Sequence, residues 1–248
     1  MSENEEKLSL IGHIGELRKR LIRSVIVVLI ATIVGFVFWR PLLELLKYPT
    51  PDIVLSTIEF TEGIGSAMRI AITAGIIVSI PWLTYELIMF VSPALTRREK
   101  KYVYIILPWI ALMFIAGVAF CYFIIMPRMV EFLYLFSADV ANPLPRLKDF
   151  ISLTSRLLLI VGLMFEMPVV TTFLARIGVL KPEWLSGGWR IAVVAAFILA
   201  AFITPTIDPI NQCLVAAPML VLYVMCIWLA KLVYKKKETA EEQDPSLD

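Results

Sequence analysis

The stretch LIRSVIVVLIATIVGFVFW, residues Leu21–Trp39, decides the fold. Its one charge, Arg23, stands near the start, and the residues after Arg23 are apolar or small. A bilayer core of ~30 Å takes ~20 apolar residues as a helix. Helix is the expected form, because lipid offers no partner to open backbone groups. The run is too long for the apolar part of a cleaved leader, and about twenty polar residues precede it.

Further along the chain the same kind of run recurs. Spans are expected at 21–39, 64–90, 102–126, 150–174, 191–203 and 213–229. The alternation that marks a membrane barrel is absent. The 248 residues are 59% apolar, and mean hydropathy is +0.82, more than a soluble domain needs for its core. The expected fold is therefore an all-α membrane protein with six transmembrane helices in one domain, 1–230. A charged tail, 231–248, is expected to be flexible. The fifth span rises only ~20 Å, so the last two helices are expected to be short.

Charge sets the orientation. With the N-terminus inside, 16 of the 23 Lys and Arg residues fall on cytoplasmic segments and five (Arg40, Lys47, Arg128, Arg146, Lys148) on outer loops. That bias predicts both termini in the cytoplasm. Cys121, Cys213 and Cys226 lie in apolar runs without CxxC spacing and read as small membrane-buried fillers.

Little here supports catalysis. The single histidine, His13, precedes the first span, and neither HExxH nor a phosphate-binding GxxxxGK[ST] loop occurs. No enzyme activity, metal, cofactor or nucleic-acid partner is expected. Gly63-Ile64-Gly65-Ser66 reads as the start of a helix packing closely through small residues.

Four clusters remain. In HIGELRKRL (His13–Leu21), Glu16 can pair with Lys19 and Arg20 along an exposed helix, or offer its carboxylate to a visiting guanidinium. In SPALTRREKK (Ser92–Lys101), Glu99 is the one acid among four cations. Glu166 lies inside a span, where an ionised carboxylate costs ~2.5–3.5 kcal/mol on insertion scales. Pro168 strips the carbonyl of Met164 of its helical donor. That predicts either a polar cavity or a pair with Arg69 or Arg156, the in-span candidates apart from Arg23 at the edge of the first span. In TPTIDPINQ (Thr204–Gln212), Asp208, Asn211 and Gln212 supply polar groups at a helix start, with capping the simplest role.

Taken together and in order, these clusters resemble the TatC family of the twin-arginine translocase. HIGELRKRL is similar to the family's HLxELRxRL motif. FVSPALTRREKK, from Phe90, resembles its first cytoplasmic loop, F-x-x-P-A-L…E-[KR]-[KR]. FEMPVV (Phe165–Val170) resembles the fourth-span F-E-x-P, and TPTIDPINQ the last outer loop. Glu86 stands where the family commonly has Gln, and Phe60 where it usually has Pro.

The resemblance implies a subunit of the prokaryotic inner membrane that binds twin-arginine signal peptides and helps export folded proteins on the proton-motive force. It implies Glu16 and Glu99 as ligands of the arginine pair, with Arg18, Phe90, Pro93, Ala94 and Leu95 shaping that site. It places Glu166 and Pro168 in a concave, lipid-facing cavity. Asp208 and Gln212 would serve the outer side or contacts with TatA- and TatB-like single-span partners, and other TatC copies would be neighbours. Recognition by so cationic a face needs placed acids, and beyond Glu16 and Glu99 the candidates away from the two terminal segments are few, Glu86 and Glu183. The rival class is a proton-coupled transporter or ion pathway with Glu166 as its relay.

Overall fold

A computed structural model describes residues 3–50, 54–91, 97–140, 143–204 and 208–243, with side chains for 15–50, 54–90, 107–140, 143–204 and 208–234. Within these the chain is helical: α1 Glu3–Val37, α2 Trp39–Lys47, α3 Glu62–Val91, α4 Arg97–Phe120, α5 Met126–Ala138, α6 Leu147–Arg176, α7 Pro182–Gly187, α8 Trp189–Ile203 and α9 Pro209–Gln243. The one strand-like pairing among the described residues is a bridge between Ser56 and Arg146.

Among the described residues, five helical stretches are long and apolar enough to cross a membrane: Gly15–Val37, Glu62–Phe90, Leu107–Ala138, Leu147–Arg176 and Pro209–Tyr234. The expected fifth span is α8, 15 residues and roughly 22 Å long. Its short length agrees with the reading from sequence.

Two expectations change. The last helix is not short: α9 runs 35 residues, through apolar Pro209–Tyr234 and on to Gln243, because strong helix formers follow the apolar run. The third span does not end at Met126. A π-helical turn, Cys121–Ile125, passes into α5, where the amide of Met126 bonds the carbonyl of Cys121. Pro127 follows directly on this π turn, which shifts the hydrogen-bond register around it, and the helix continues to Ala138 through residues read as loop.

The packing explains the small residues. On α1 and α3, Gly35 backs onto Ala71 and Gly75 onto Thr32; a Cβ on Gly75 would lie 2.3 Å from the Thr32 hydroxyl and 2.7 Å from its backbone nitrogen. Only glycine lets these backbones approach so closely. On α4 and α6 the exchange is reciprocal, with Phe165 covering Gly117 and Phe114 covering Gly162. Helix α6 is the axis of the bundle, packing on α3, α4 and α9 with Leu157, Leu158, Val161 and Ile151 buried. Gly63 and Gly65 depart from the expected close packing: a Cβ on either meets nothing within 4 Å.

Helix ends are held by specific bonds. At the tail of α6, Gly178 (φ 80°) donates to Ala175 and Val179 donates to Leu174, the pair of bonds that closes a helix on a left-handed glycine. At its head, the Ser56 amide donates to Pro145 at 3.0 Å and the Leu147 amide to Ser56 at 2.9 Å. This ties the first long loop to the second.

Candidate functional site

The acids and cations of HIGELRKRL lie on α1 at the end that precedes its apolar stretch, and α3 brings Glu86 to them. Arg20 lies between two carboxylates. Its Nε and Nη2 donate to Oε1 of Glu16, at 3.1 and 2.6 Å, and its Nη1 donates to Oε2 of Glu86 at 2.7 Å. Arg23 adds a longer contact with Glu86, 3.9 Å. The Glu86 side chain is only 5% exposed, and that of Glu16 is 35% exposed.

The helical pair of Glu16 with Arg20 is thus formed, as one of the two sequence readings has it. Arg20 grips Oε1 alone, and no described residue bonds Oε2 of Glu16. Glu16 is consequently oriented but not enclosed. Glu86 is the residue sequence reasoning undervalued. The available signal was an acid within a span, four residues from its end, where burial requires a cationic partner.

The bond from Arg20 to Glu86 also fixes geography. It brings α1 near residue 20 to the last turns of α3, and α4 begins just beyond, at Arg97. Glu99 is in the first turn of α4, at this same end of the bundle; its side chain lies outside the described residues. Pro93, Ala94 and Leu95 lie outside the described residues altogether. Arg18 is exposed on α1, and Phe90, partly buried, is near the end of α3.

Glu166 is 3% exposed, and neither carboxylate oxygen meets a hydrogen-bond donor among the described residues. It belongs to the α6 stripe that carries Gly162 on one side and Val169 and Phe173 on the other. Gly162 meets Phe114 of α4, and Val169 and Phe173 pack with Ile88 and Ile110. The expected arginine partners are engaged elsewhere or distant: Arg156 donates to the carbonyl of Phe202 at 3.2 Å, and Arg69 is near the opposite end of α3. Pro168 is buried beside it, and the hydroxyl of Thr172 donates to its carbonyl at 2.6 Å. The large apolar cavity, about 630 Å³ between α2, α3 and α4 and bordered by Pro81, Phe114 and Tyr122, does not have Glu166 in its wall.

At the far end, Asp208 caps α9. Its Oδ1 accepts from the Asn211 amide at 2.7 Å and its Oδ2 from the Asn211 side chain at 3.0 Å, with Pro209 at the first helical position. Gln212 donates to the carbonyl of Phe197 at 2.8 Å and so ties α9 to α8.

A second buried acid escaped notice in the sequence. Glu62 accepts the amides of Ile58 (2.9 Å) and Glu59 (3.4 Å) on one oxygen and that of Lys148 (3.0 Å) on the other. It clamps the heads of α3 and α6. Nothing in its local sequence marks this, because the third donor is 86 residues away.

Comparison with known proteins bears on the whole chain. The family model described as "Sec-independent protein translocase protein (TatC)" matches residues 12–218. A protein of that name from Desulforapulum autotrophicum is 35% identical over 248 residues, covering 98% of this chain and 92% of the relative. One from Carboxydothermus hydrogenoformans is 33% identical, covering 96% and 99%, and one from Helicobacter pylori strain J99 is 37% identical, covering 94% of each. Among solved structures, a crystal structure of the twin-arginine translocase receptor TatC superposes with a TM-score of 0.81 at 34% identity. It covers 89% of this chain and 99% of that one.

Proposed function

The chain belongs to the TatC family, and from that membership we propose that it is the signal-peptide receptor of a twin-arginine translocase. It is a protein translocase component, with no catalytic role. In this reading it sits in the inner membrane of a prokaryote with six spans and both termini cytoplasmic, α8 being the short one. It binds twin-arginine signal peptides at the Glu16 end. It assembles with TatA- and TatB-like single-span proteins and further copies of itself, for export of folded proteins on the proton-motive force.

One observation carries the binding site: the acids of this end already hold a guanidinium. Arg20 is bound by Glu16 and Glu86 through three N–H bonds, two of them short, which is the chemistry a signal-peptide arginine would use. Oε2 of Glu16 and its exposed third leave room for a guest. Glu99, in the first turn of α4, is the second ligand, with Arg18, Phe90, Pro93, Ala94 and Leu95 shaping the approach.

Each charge-assisted bond contributes ~1.5–3 kcal/mol, reduced by screening near the surface. The test is binding of a twin-arginine peptide, or its crosslinking from positions around Glu99, in Glu16→Ala and Glu99→Ala variants. Loss of about tenfold in each supports the site, and undiminished binding in both removes it. Apart from that site, Glu166 and Pro168 are the intramembrane residues of this reading, and Asp208 and Gln212 serve the outer side or contacts with single-span partners. Ion flux through proteoliposomes would instead favour the transporter reading, with Glu166 as relay.

A further inference from the structure

Arg69 is an expensive residue where it stands. It is the seventh residue after Glu62 on α3, roughly 10 Å along the helix from its head, on an otherwise apolar stretch. It is exposed, and no described carboxylate pairs with it. A long basic side chain in that position turns its head toward the nearer membrane surface and lays its stem on apolar groups.

At that surface lies a cavity of about 350 Å³, remote from Glu16, whose wall includes Arg69, Lys148, Ser66 and Gly65. Lys148 opens α6 and is likewise exposed without an ion pair among the described residues. Ser66 is 5% exposed, and its hydroxyl, buried in the wall, has no hydrogen-bond partner among the described residues. Gly65 leaves the space open, since a Cβ there would touch nothing within 4 Å.

Two acids also border the cavity, and both are engaged. Glu62 spends its oxygens on the amides of Ile58, Glu59 and Lys148, and Glu59 accepts from Nη2 of Arg146 at 3.3 Å. Two unpaired cations and a free hydroxyl therefore remain for a ligand. Beside them on α3, Ile64, Met68 and Ile72 are exposed at successive turns, making an apolar track that starts at the cavity wall and runs deeper along the helix.

We infer that this cavity binds the phosphodiester head of a membrane phospholipid. Arg69 and Lys148 hold the phosphate, Ser66 donates to it, and an acyl chain lies along Ile64, Met68 and Ile72. The track separates a lipid from free phosphate, which would use the cations alone. The site is independent of signal-peptide recognition, which lies at the other end of α3.

The experiment is native mass spectrometry of the full chain released from nanodiscs of phosphatidylethanolamine and phosphatidylglycerol. The wild-type chain is expected to retain a phospholipid under activation that strips the bulk annulus. Retention is expected to fall about tenfold in the Arg69→Gln, Lys148→Gln double variant, through loss of both charge-assisted contacts. Arg69→Lys should keep most of it, and Arg40→Gln, which alters a cation of α2, should change nothing. If the double variant does not fold, each single Gln variant is expected to show a severalfold loss. Undiminished retention without the cations overturns the site. Displacement of the lipid by millimolar inorganic phosphate makes it an ion site instead, and equal retention of diacylglycerol makes it an apolar groove; either result overturns the inference.

Discussion

Removing the side chain of Arg20 gives the sharpest check on the acid cluster. In Arg20→Met, Glu86 keeps, among the described residues, only Arg23, at 3.9 Å and with a side chain 62% exposed. Stripping one partner from a buried ion pair costs about 3–5 kcal/mol. Here Arg20 is 17% exposed and Arg23 can swing closer, so about 2 kcal/mol is expected. Glu86→Leu leaves Arg20 with its two bonds to Glu16 and costs about 1 kcal/mol. In the double variant no carboxylate is stranded at the Glu86 position, and Glu16 is exposed enough for water to serve it, so the cost stays about 1 kcal/mol. The expected coupling is therefore about 2 kcal/mol, roughly a thirtyfold change in the unfolding equilibrium. The assay is a double-mutant cycle read by reversible unfolding of the reconstituted chain. Coupling below about 0.5 kcal/mol, the level of an ordinary surface pair, refutes the claim that Glu86 is buried against Arg20.

The packing and the buried acids give three further expected outcomes. Gly75→Ala is expected to cost about 1–3 kcal/mol by driving α1 from α3, whereas Gly63→Ala, with open space around it, is expected to be neutral or slightly stabilising; the same unfolding assay reads both. Glu166→Leu is expected to raise stability by about 1–3 kcal/mol, since it removes a carboxylate without described partners from the span. Its export activity, measured in cells, is expected to fall, so that the two readouts move apart. Glu62→Ala is expected to speed hydrogen exchange of the Ile58, Glu59 and Lys148 amides about tenfold or more while leaving amides of the α4–α6 contact unchanged.

The membrane class and the helical architecture were legible in the sequence, because they depend on long apolar runs and not on which run meets which. So was the short α8, by residue count alone, and so was the cap on α9, because Asp208, Pro209 and Asn211 are neighbours in the chain. The pairing of Glu16 with Arg20 was open between two roles, and the helix formed it through its own i, i+4 spacing. Where α5 and α9 end was misjudged from sequence because hydropathy stops reporting at the edge of an apolar run, while hydrogen bonding carries the helix on past it. Tertiary structure alone decided that Glu86 completes the cage around Arg20, 66 residues away, and that Glu62 clamps two helix heads. It also decided that Gly75, not Gly63 or Gly65, is where helices touch, and that Glu166 meets no arginine among the described residues. Each of these is a meeting of distant segments, and local pattern carries information about a residue's own turn of helix but not about the neighbour that packing brings to it.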